Sequence, residues 1–209
     1  MNSRKIMRAD SDRLTKTGKV ISRVTNPCFL SILVLALIAA TASMDTNSLI
    51  GLIVALFIFL VLLPTVYVFV RTYKNRDIIR LILNPTVFLK QHPKDVLVVA
   101  LLLGLSGQIS LFILNAPSIL LYTYAALLIG SIVIALFNIF YRVSYHIGAI
   151  TILAIMVVIT WGPNLLPVLF AIPVIGWAKY QIHEHTLSQL ISGSAVTIVI
   201  SSVVLLLYL

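Results

Sequence analysis

Long apolar runs separated by short polar junctions fill most of the chain. A helix needs about 20 mostly apolar residues to cross the hydrocarbon core of a membrane, with a working range of roughly 17–25. Turn-forming and charged residues bound seven runs of roughly this kind. They cover residues 28–43, 49–70, 96–114, 118–141, 147–161, 165–177 and 187–209. The pattern predicts an all-α fold, a polytopic transmembrane helical bundle of about six to seven spans.

Prolines interrupt two of these runs. Pro64, Pro167 and Pro173 lie inside predicted spans. Each is expected to kink its helix, because proline lacks a backbone N–H and its ring collides with the preceding turn. The runs at 147–161 and 165–177 are also short, and they reach membrane length only if their polar flanks belong to the same helices.

The composition places the chain among integral membrane proteins. It has 209 residues, of which 60% are hydrophobic and 10% charged, and its mean hydropathy is +1.10. Soluble domains carry about 25% charged residues. The first 25 residues are polar and basic, without the compact apolar region of a cleavable signal peptide. We therefore divide the chain into a basic cytoplasmic tail, 1–25, and a transmembrane domain, 26–209.

Charge predicts the orientation of the bundle. If seven spans alternate, all fifteen Lys and Arg residues fall on one side: seven in the tail, six in 71–95, then Arg142 and Lys179. Cytoplasmic junctions are the ones enriched in Lys and Arg. We expect a multi-pass protein whose N-terminus and basic junctions are cytoplasmic. The seven cations of the tail are expected to contact anionic lipid headgroups, and no nucleic-acid partner is expected.

The junction after the fourth predicted span has the residues of an anion site. Arg142, Ser144 and His146 alternate where the next helix begins. Serine is a preferred N-cap, and the N–H groups of a first helical turn bind anions. Arginine adds a fixed positive charge. This junction predicts a phosphate site with a histidine beside it.

The junction before the last predicted span repeats the theme. Lys179 precedes His185 by six residues. Gln189 follows His185 by four, which places His185 and Gln189 on one helical face. A helical hairpin returns this junction to the face that carries His146. One histidine can attack phosphorus while the other protonates the leaving oxygen. Together the two junctions predict phosphoryl chemistry.

These residues resemble motifs of the type 2 phosphatidic acid phosphatase (PAP2) superfamily of integral membrane lipid phosphatases. The family motifs are K-x6-R-P, P-S-G-H and S-R-x5-H-x3-D. Ser144 and His146 match the second motif with tyrosine between them in place of glycine. Lys179, His185 and Gln189 match the third, with lysine for arginine and glutamine for aspartate. The resemblance covers roughly residues 71–209. It is greatest to a branch of the family whose second motif is K-x-S-x-H, and Arg142 of this chain stands at the position of that lysine.

The resemblance implies a role for each matching residue. His185 would be the nucleophile that forms a phosphohistidine, His146 the general acid, and Gln189 the residue that orients the His185 ring. The phosphate-binding residues would be Arg142, Ser144, Lys179, Lys74 and Arg80, of which Lys74 and Arg80 approximate the spacing of the first motif.

Few carboxylates are available to hold a metal. The chain has six acidic residues and no paired aspartates on any span, whereas magnesium-dependent chemistry on a diphosphate needs carboxylate ligands. We therefore expect no metal and no cofactor.

Two functions fit these observations. The first is a metal-independent phosphatase that acts on a lipid phosphate or prenyl diphosphate at the cytoplasmic face. The second is a catalytically degenerate relative that binds or translocates phosphorylated lipids, which the substitutions at the glycine, arginine and aspartate positions favour. The sequence leaves open the identity of the lipid, the number of phosphates and the oligomeric state.

Overall fold

The computed structural model describes residues 3–42, 45–72 and 93–208, and within these ranges the chain is helical without any β-strand. The predicted all-α class is confirmed. The helices are α1 Ser3–Val24, α2 Pro27–Ala40, α3 Thr46–Phe57, α4 Leu63–Thr72, α5 Pro93–Val99, α6 Leu105–Ile113, α7 Ser118–Phe140, α8 Tyr145–Trp161, α9 Ala171–Gln181 and α10 Leu187–Tyr208. Short π-helical segments join α3 to α4 and α5 to α6, and a 3-10 helix, Pro163–Phe170, precedes α9.

Several of these helices are long and apolar enough to cross a membrane. In the described ranges, three meet that test: Thr46–Arg71, Ser118–Phe140 and Leu187–Leu207. A fourth is counted if Leu14–Val24 and Pro27–Ala40, which meet at 44°, form one broken span. Leu97–Ile113 and Tyr145–Trp161 are apolar but shorter. The described part of the chain thus has three or four candidate spans, and the count of six to seven remains a prediction.

The prolines act on the helices in different ways. The π-helical segment Ile58–Leu62 lies just before Pro64, where it accommodates the missing hydrogen bond and the ring. Pro167 lies inside the 3-10 helix. Pro173 falls in the first turn of α9, where no N–H is needed. The predicted span 165–177 is therefore divided between a 3-10 helix and α9.

The basic tail is a helix that lies against the bundle. Helix α1 packs against α9, and Gly18 is the buried point of this contact. A Cβ on Gly18 would lie 3.0 Å from the carbonyl oxygen of Ala178. Lys16, Lys19 and Arg23 are exposed on the rest of the helix. The predicted headgroup contacts would therefore come from a helix that is docked beside α9.

Helix α8 is the centre of the fold. It contacts α2, α7, α9, α10 and the 3-10 helix. Its sequence is apolar on every side, as expected of a helix surrounded by others. Buried residues on it include Ile147, Ile150, Ile152 and Met156, which belong to two separate hydrophobic clusters. Because α8 is enclosed, its first turn lies inside the bundle, and that turn carries His146.

Candidate active site

The turn before α8 is fixed by Asn138. Its side chain donates to the carbonyl of Ile134 at 2.9 Å and accepts from the N–H of Val143 at 2.8 Å. Ser144 then caps α8, as predicted, with its Oγ accepting from the N–H of Ile147 at 3.5 Å. Ser144 is fully buried. The predicted phosphate ligand therefore lies inside the bundle.

Gly193 brings the starts of α8 and α10 together. A Cβ on Gly193 would lie 3.0 Å from the carbonyl oxygen of Ser144 and 3.6 Å from its nitrogen. Only a residue without a side chain allows this approach without displacing a neighbour. The crossing holds the first turn of α8 beside the first turn of α10. Sequence positions 144–146 and 185–189 thus meet at one end of the bundle.

His185 and Gln189 are hydrogen-bonded, and their geometry assigns the histidine tautomer. Gln189 and Thr186 form a capping box at the start of α10: the side chain of Gln189 accepts from the N–H of Thr186 at 3.2 Å, and Thr186 Oγ1 accepts from the N–H of Gln189 at 3.4 Å. Because a backbone N–H can only donate, the Gln189 atom is the amide oxygen. The same oxygen lies 3.2 Å from His185 Nδ1. Nδ1 therefore carries a proton, and in the neutral ring Nε2 has the lone pair.

His146 has the opposite tautomer. Its Nε2 lies 3.4 Å from Thr25 Oγ1. That hydroxyl donates its only hydrogen to the carbonyl of Ile21 at 2.7 Å, so it accepts from Nε2–H. The lone pair is then on Nδ1, which is buried and has no hydrogen-bond partner. The end of the N-terminal helix thus orients the second histidine.

Burial keeps His146 neutral. Burial lowers the pKa of His146 to about 3, and the Lys179 ammonium and His185 lower it further, while Glu184 and the Thr25 backbone oppose the shift. The residue precedes the predicted span 147–161 and is 4% exposed.

Acidification is expected to destabilise the protein through His146. The ring has a pKa of about 6.5 in an unfolded chain and about 3 when folded. The contribution of the neutral ring to the free energy of unfolding is fully present above about pH 6.5. It is lost as the pH falls, because only the unfolded state binds the proton. The loss is up to about 1.4 kcal/mol per pH unit. His146→Gln should remove this part of the pH dependence, as measured by melting temperatures in detergent between about pH 7 and about pH 5.

His183 provides the control for this measurement. It is exposed, and asparagine tolerates its left-handed backbone, φ 55°. His183→Asn should melt with the pH dependence of the wild type. An unchanged acid sensitivity in His146→Gln would show that another group is responsible.

Lys179 is buried and paired with Glu184. Helix α9 ends in a Schellman motif, in which the N–H of His183 bonds to the carbonyl of Tyr180 at 3.0 Å and that of Glu184 to Lys179 at 3.2 Å. This turn places the Glu184 carboxylate over Lys179, with Nζ 2.7 Å from Oε2. The Lys179 side chain is 4% exposed and that of Glu184 is 34% exposed. The Lys179 ammonium, which is predicted to bind phosphate, is therefore already paired with an anion, the Glu184 carboxylate.

Glu184→Ala is expected to destabilise the protein more than removal of both partners. The single change leaves a buried ammonium without its anion, at an expected cost of about 1–3 kcal/mol, reduced from a fully buried pair because Glu184 is partly exposed. Lys179→Met/Glu184→Ala removes that charge and should recover most of the loss in melting temperature.

The Arg71–Asp95 pair is the matched control for the double-mutant cycle. Arg71 Nε lies 3.2 Å from Asp95 Oδ2; the arginine side chain is 62% exposed and the aspartate side chain is 14% exposed. Because Asp95 also has a side-chain hydrogen bond with Tyr67, Arg71→Met should lower the melting temperature less than Glu184→Ala. Equal losses in Glu184→Ala and in the double variant would contradict the assignment of a stranded buried charge.

An open cleft of about 680 Å³ forms the outer part of the site. Arg142, Glu184, His185 and Gln189 are among its lining residues. Ser144, His146 and Lys179 do not line it, and each is buried. The predicted residues thus form two layers, an outer layer on the cleft and an inner layer behind it, with Glu184 in contact with both.

Two predicted phosphate ligands, Lys74 and Arg80, lie outside the described residues. The structure does describe the segment ends that flank them, and the Arg71–Asp95 pair holds those ends together. A contact between the 73–92 segment and phosphate remains a prediction.

Sequence reasoning missed three residues of the site. Thr186 could have been found, because Thr-x-x-Gln is the pattern of a capping box. Glu184 gave a weaker signal, since its pairing with Lys179 depends on a left-handed residue that is histidine rather than glycine. Thr25 gave none, because 121 positions separate it from His146.

The described residues contain no group of three or more His, Cys, Asp or Glu side chains arranged to hold a metal. Independence from metal remains a prediction for a chelator to test. Comparison of the chain with protein-family models, curated proteins and solved structures gave no match.

Proposed function

We propose that the chain is a membrane-embedded, metal-independent phosphatase of PAP2-like type, which hydrolyses a lipid phosphate or prenyl diphosphate through a phosphohistidine. The observation that carries this proposal is His185 on the wall of an open cleft, with Nδ1–H fixed on Gln189. This tautomer gives Nε2 the lone pair that a nucleophile needs. The Arg142 guanidinium on the same cleft supplies charge for phosphate oxygens.

The first step transfers the phosphoryl group to the enzyme. His185 Nε2 attacks phosphorus, a nitrogen–phosphorus bond forms, and the bond from phosphorus to the leaving oxygen breaks. The leaving alkoxide or phosphate takes a proton from His146. Gln189 keeps its hydrogen bond to Nδ1–H while the His185 ring becomes positively charged. In the second step water attacks phosphorus and gives a proton to His146. A new phosphorus–oxygen bond forms, the bond from phosphorus to His185 Nε2 breaks, and inorganic phosphate leaves while the His185 ring becomes neutral again.

Proton delivery by His146 requires the substrate. Burial lowers the pKa of His146 to about 3, so the ring carries no transferable extra proton at neutral pH. A phosphate anion placed beside the ring favours its charged form and raises the pKa. The general acid is thus created by substrate binding.

Glu184 is the residue that substrate must displace. Its carboxylate lies 2.7 Å from Lys179 Nζ, and Glu184 also lines the cleft. A phosphate group that takes the place of this carboxylate would contact Lys179 and reach the inner layer that holds His146. Glu184 would then swing toward the open cleft, where its charge is solvated.

The sequence-based topology completes the proposal. Six to seven crossings, with basic junctions in the cytoplasm, would place the cleft at the cytoplasmic headgroup region. Substrate would enter from that leaflet.

A second function is favoured by the same ion pair and by the neutral His146. A protein in which Glu184 never leaves Lys179 would bind phosphorylated lipids in the outer cleft without hydrolysis. Such a protein would serve as a lipid-phosphate carrier or translocator.

Phosphate release from a panel of lipid phosphates and diphosphates, with and without EDTA, separates the two functions. The phosphatase proposal predicts turnover of at least one substrate at a rate that EDTA leaves unchanged. Saturable binding of the panel without phosphate release would select the carrier. Loss of turnover in EDTA would contradict the metal-independent mechanism.

A further inference from the structure

An apolar groove of about 480 Å³ adjoins the polar cleft. It lies between α9 and α10, and its floor includes Ile147 of α8. The two cavities share Tyr180 and Leu187 as lining residues. One continuous surface therefore changes from polar side chains around His185 to apolar ones along the helices.

The groove runs along one face of α10. Leu187, Ile191, Ala195 and Ile198 line it, at the spacing of residues that share a helical face. With a rise of 1.5 Å per residue, Leu187 and Ile198 are about 16 Å apart along the helix. Half of a hydrocarbon core of about 30 Å is about 15 Å. The groove thus has the length of one leaflet.

We propose that this groove binds one hydrocarbon chain of a phosphate-bearing lipid while the phosphate lies in the cleft beside His185 and Arg142. The inference rests on the proposed function for the identity of the headgroup. The positive charge of Arg142 at the polar end, and the absence of charged residues among the described residues that line the groove, fit an anionic head and an apolar tail. A soluble phosphate ester would use the cleft alone.

Gly176 offers a way to fill the groove without distorting the fold. It lines the groove, and a Cβ there would meet only Ile147 Cδ1, at an ordinary 3.8 Å. Leucine is also a better helix former than glycine. The Gly176→Leu protein should therefore fold, and its leucine side chain should fill the part of the groove proposed to hold the hydrocarbon chain. The matched control is Gly51→Leu, because a Cβ at this other helical glycine would meet nothing within 4 Å.

The test compares a lysophosphatidic acid with an oleoyl chain and butyl phosphate as substrates. Gly176→Leu should lower kcat/KM for the long-chain substrate at least about tenfold, because binding energy from the chain is lost. Butyl phosphate should be hydrolysed as by the wild type, and Gly51→Leu should match the wild type on both. Equal effects of Gly176→Leu on the two substrates, or no effect, would overturn the groove assignment and leave the phosphatase intact.

A binding arm keeps the two proposals separable. If the wild type hydrolyses neither substrate, the groove is tested by binding, with a photoreactive long-chain alkyl phosphate, while the phosphatase proposal is decided by the wider substrate panel. The label should attach to peptides of α9 and α10 in the wild type and Gly51→Leu, and should be lost from Gly176→Leu. Equal labelling of α9 and α10 in Gly176→Leu would overturn the proposal.

Discussion

His185→Ala is expected to lower the rate of phosphate release by at least about 10³-fold, because it removes the atom that forms the bond to phosphorus. The capping box of α10 needs only Thr186 and Gln189, so the helix start should survive the substitution. The melting temperature should therefore change little while the rate collapses. Initial rates on the best substrate of the panel, measured beside melting curves, check both expectations.

Gln181→Ala is the control for this variant. Gln181 ends α9 on the same side of the bundle and does not line the cleft. Its loss should leave the rate near that of the wild type. If the His185→Ala protein retained a tenth or more of the wild-type rate, His185 could not be the nucleophile of the reaction.

Gly193→Leu is expected to abolish the site by a different route. The new side chain must displace the backbone of Ser144, whose carbonyl oxygen would lie 3.0 Å from the added Cβ. Overpacking of this kind costs about 1–3 kcal/mol or more. The displacement also separates His146 from His185, and a shift of about 1 Å in a catalytic group costs about 10²-fold in rate. Both the melting temperature and the rate of phosphate release should fall.

Two variants bracket that result. Gly193→Ala introduces only the Cβ, so its losses should lie between those of the wild type and Gly193→Leu. Gly51→Leu places the same leucine in open space and should behave as the wild type. A Gly193→Leu protein with normal stability and activity would show that the α8–α10 crossing does not position the histidines.

The hydrophobic pattern was sufficient to predict the helices, because an apolar run bounded by turn residues has few other solutions in a membrane protein. The count of six to seven crossings remains a prediction. Residues 165–177 are apolar enough for a span, but Gly162 has φ 90° and a 3-10 helix containing Pro167 follows it. The basic tail was also only partly predicted. Its contact with α9 depends on Gly18, whose partner lies far away in the sequence.

In the candidate site, too, contacts between residues close in sequence could be predicted, whereas contacts between residues far apart in sequence could not. Ser144 as an N-cap and Gln189 as the partner of His185 follow from helix geometry over three or four residues, and the structure has both. The separation of the predicted residues into two layers depends on packing around α8, which no local pattern reports. The orientation of His146 by Thr25 belongs to the same class.

The most direct test of the central claim is a search for a phosphoryl group on His185. The wild type is mixed with a lipid phosphate labelled in its phosphate, quenched in alkali because phosphohistidine is labile in acid, and its labelled peptide is sequenced. The account predicts label on His185 in the wild type and none in His185→Ala. Label on any other residue, or steady phosphate release without a labelled enzyme, would contradict it.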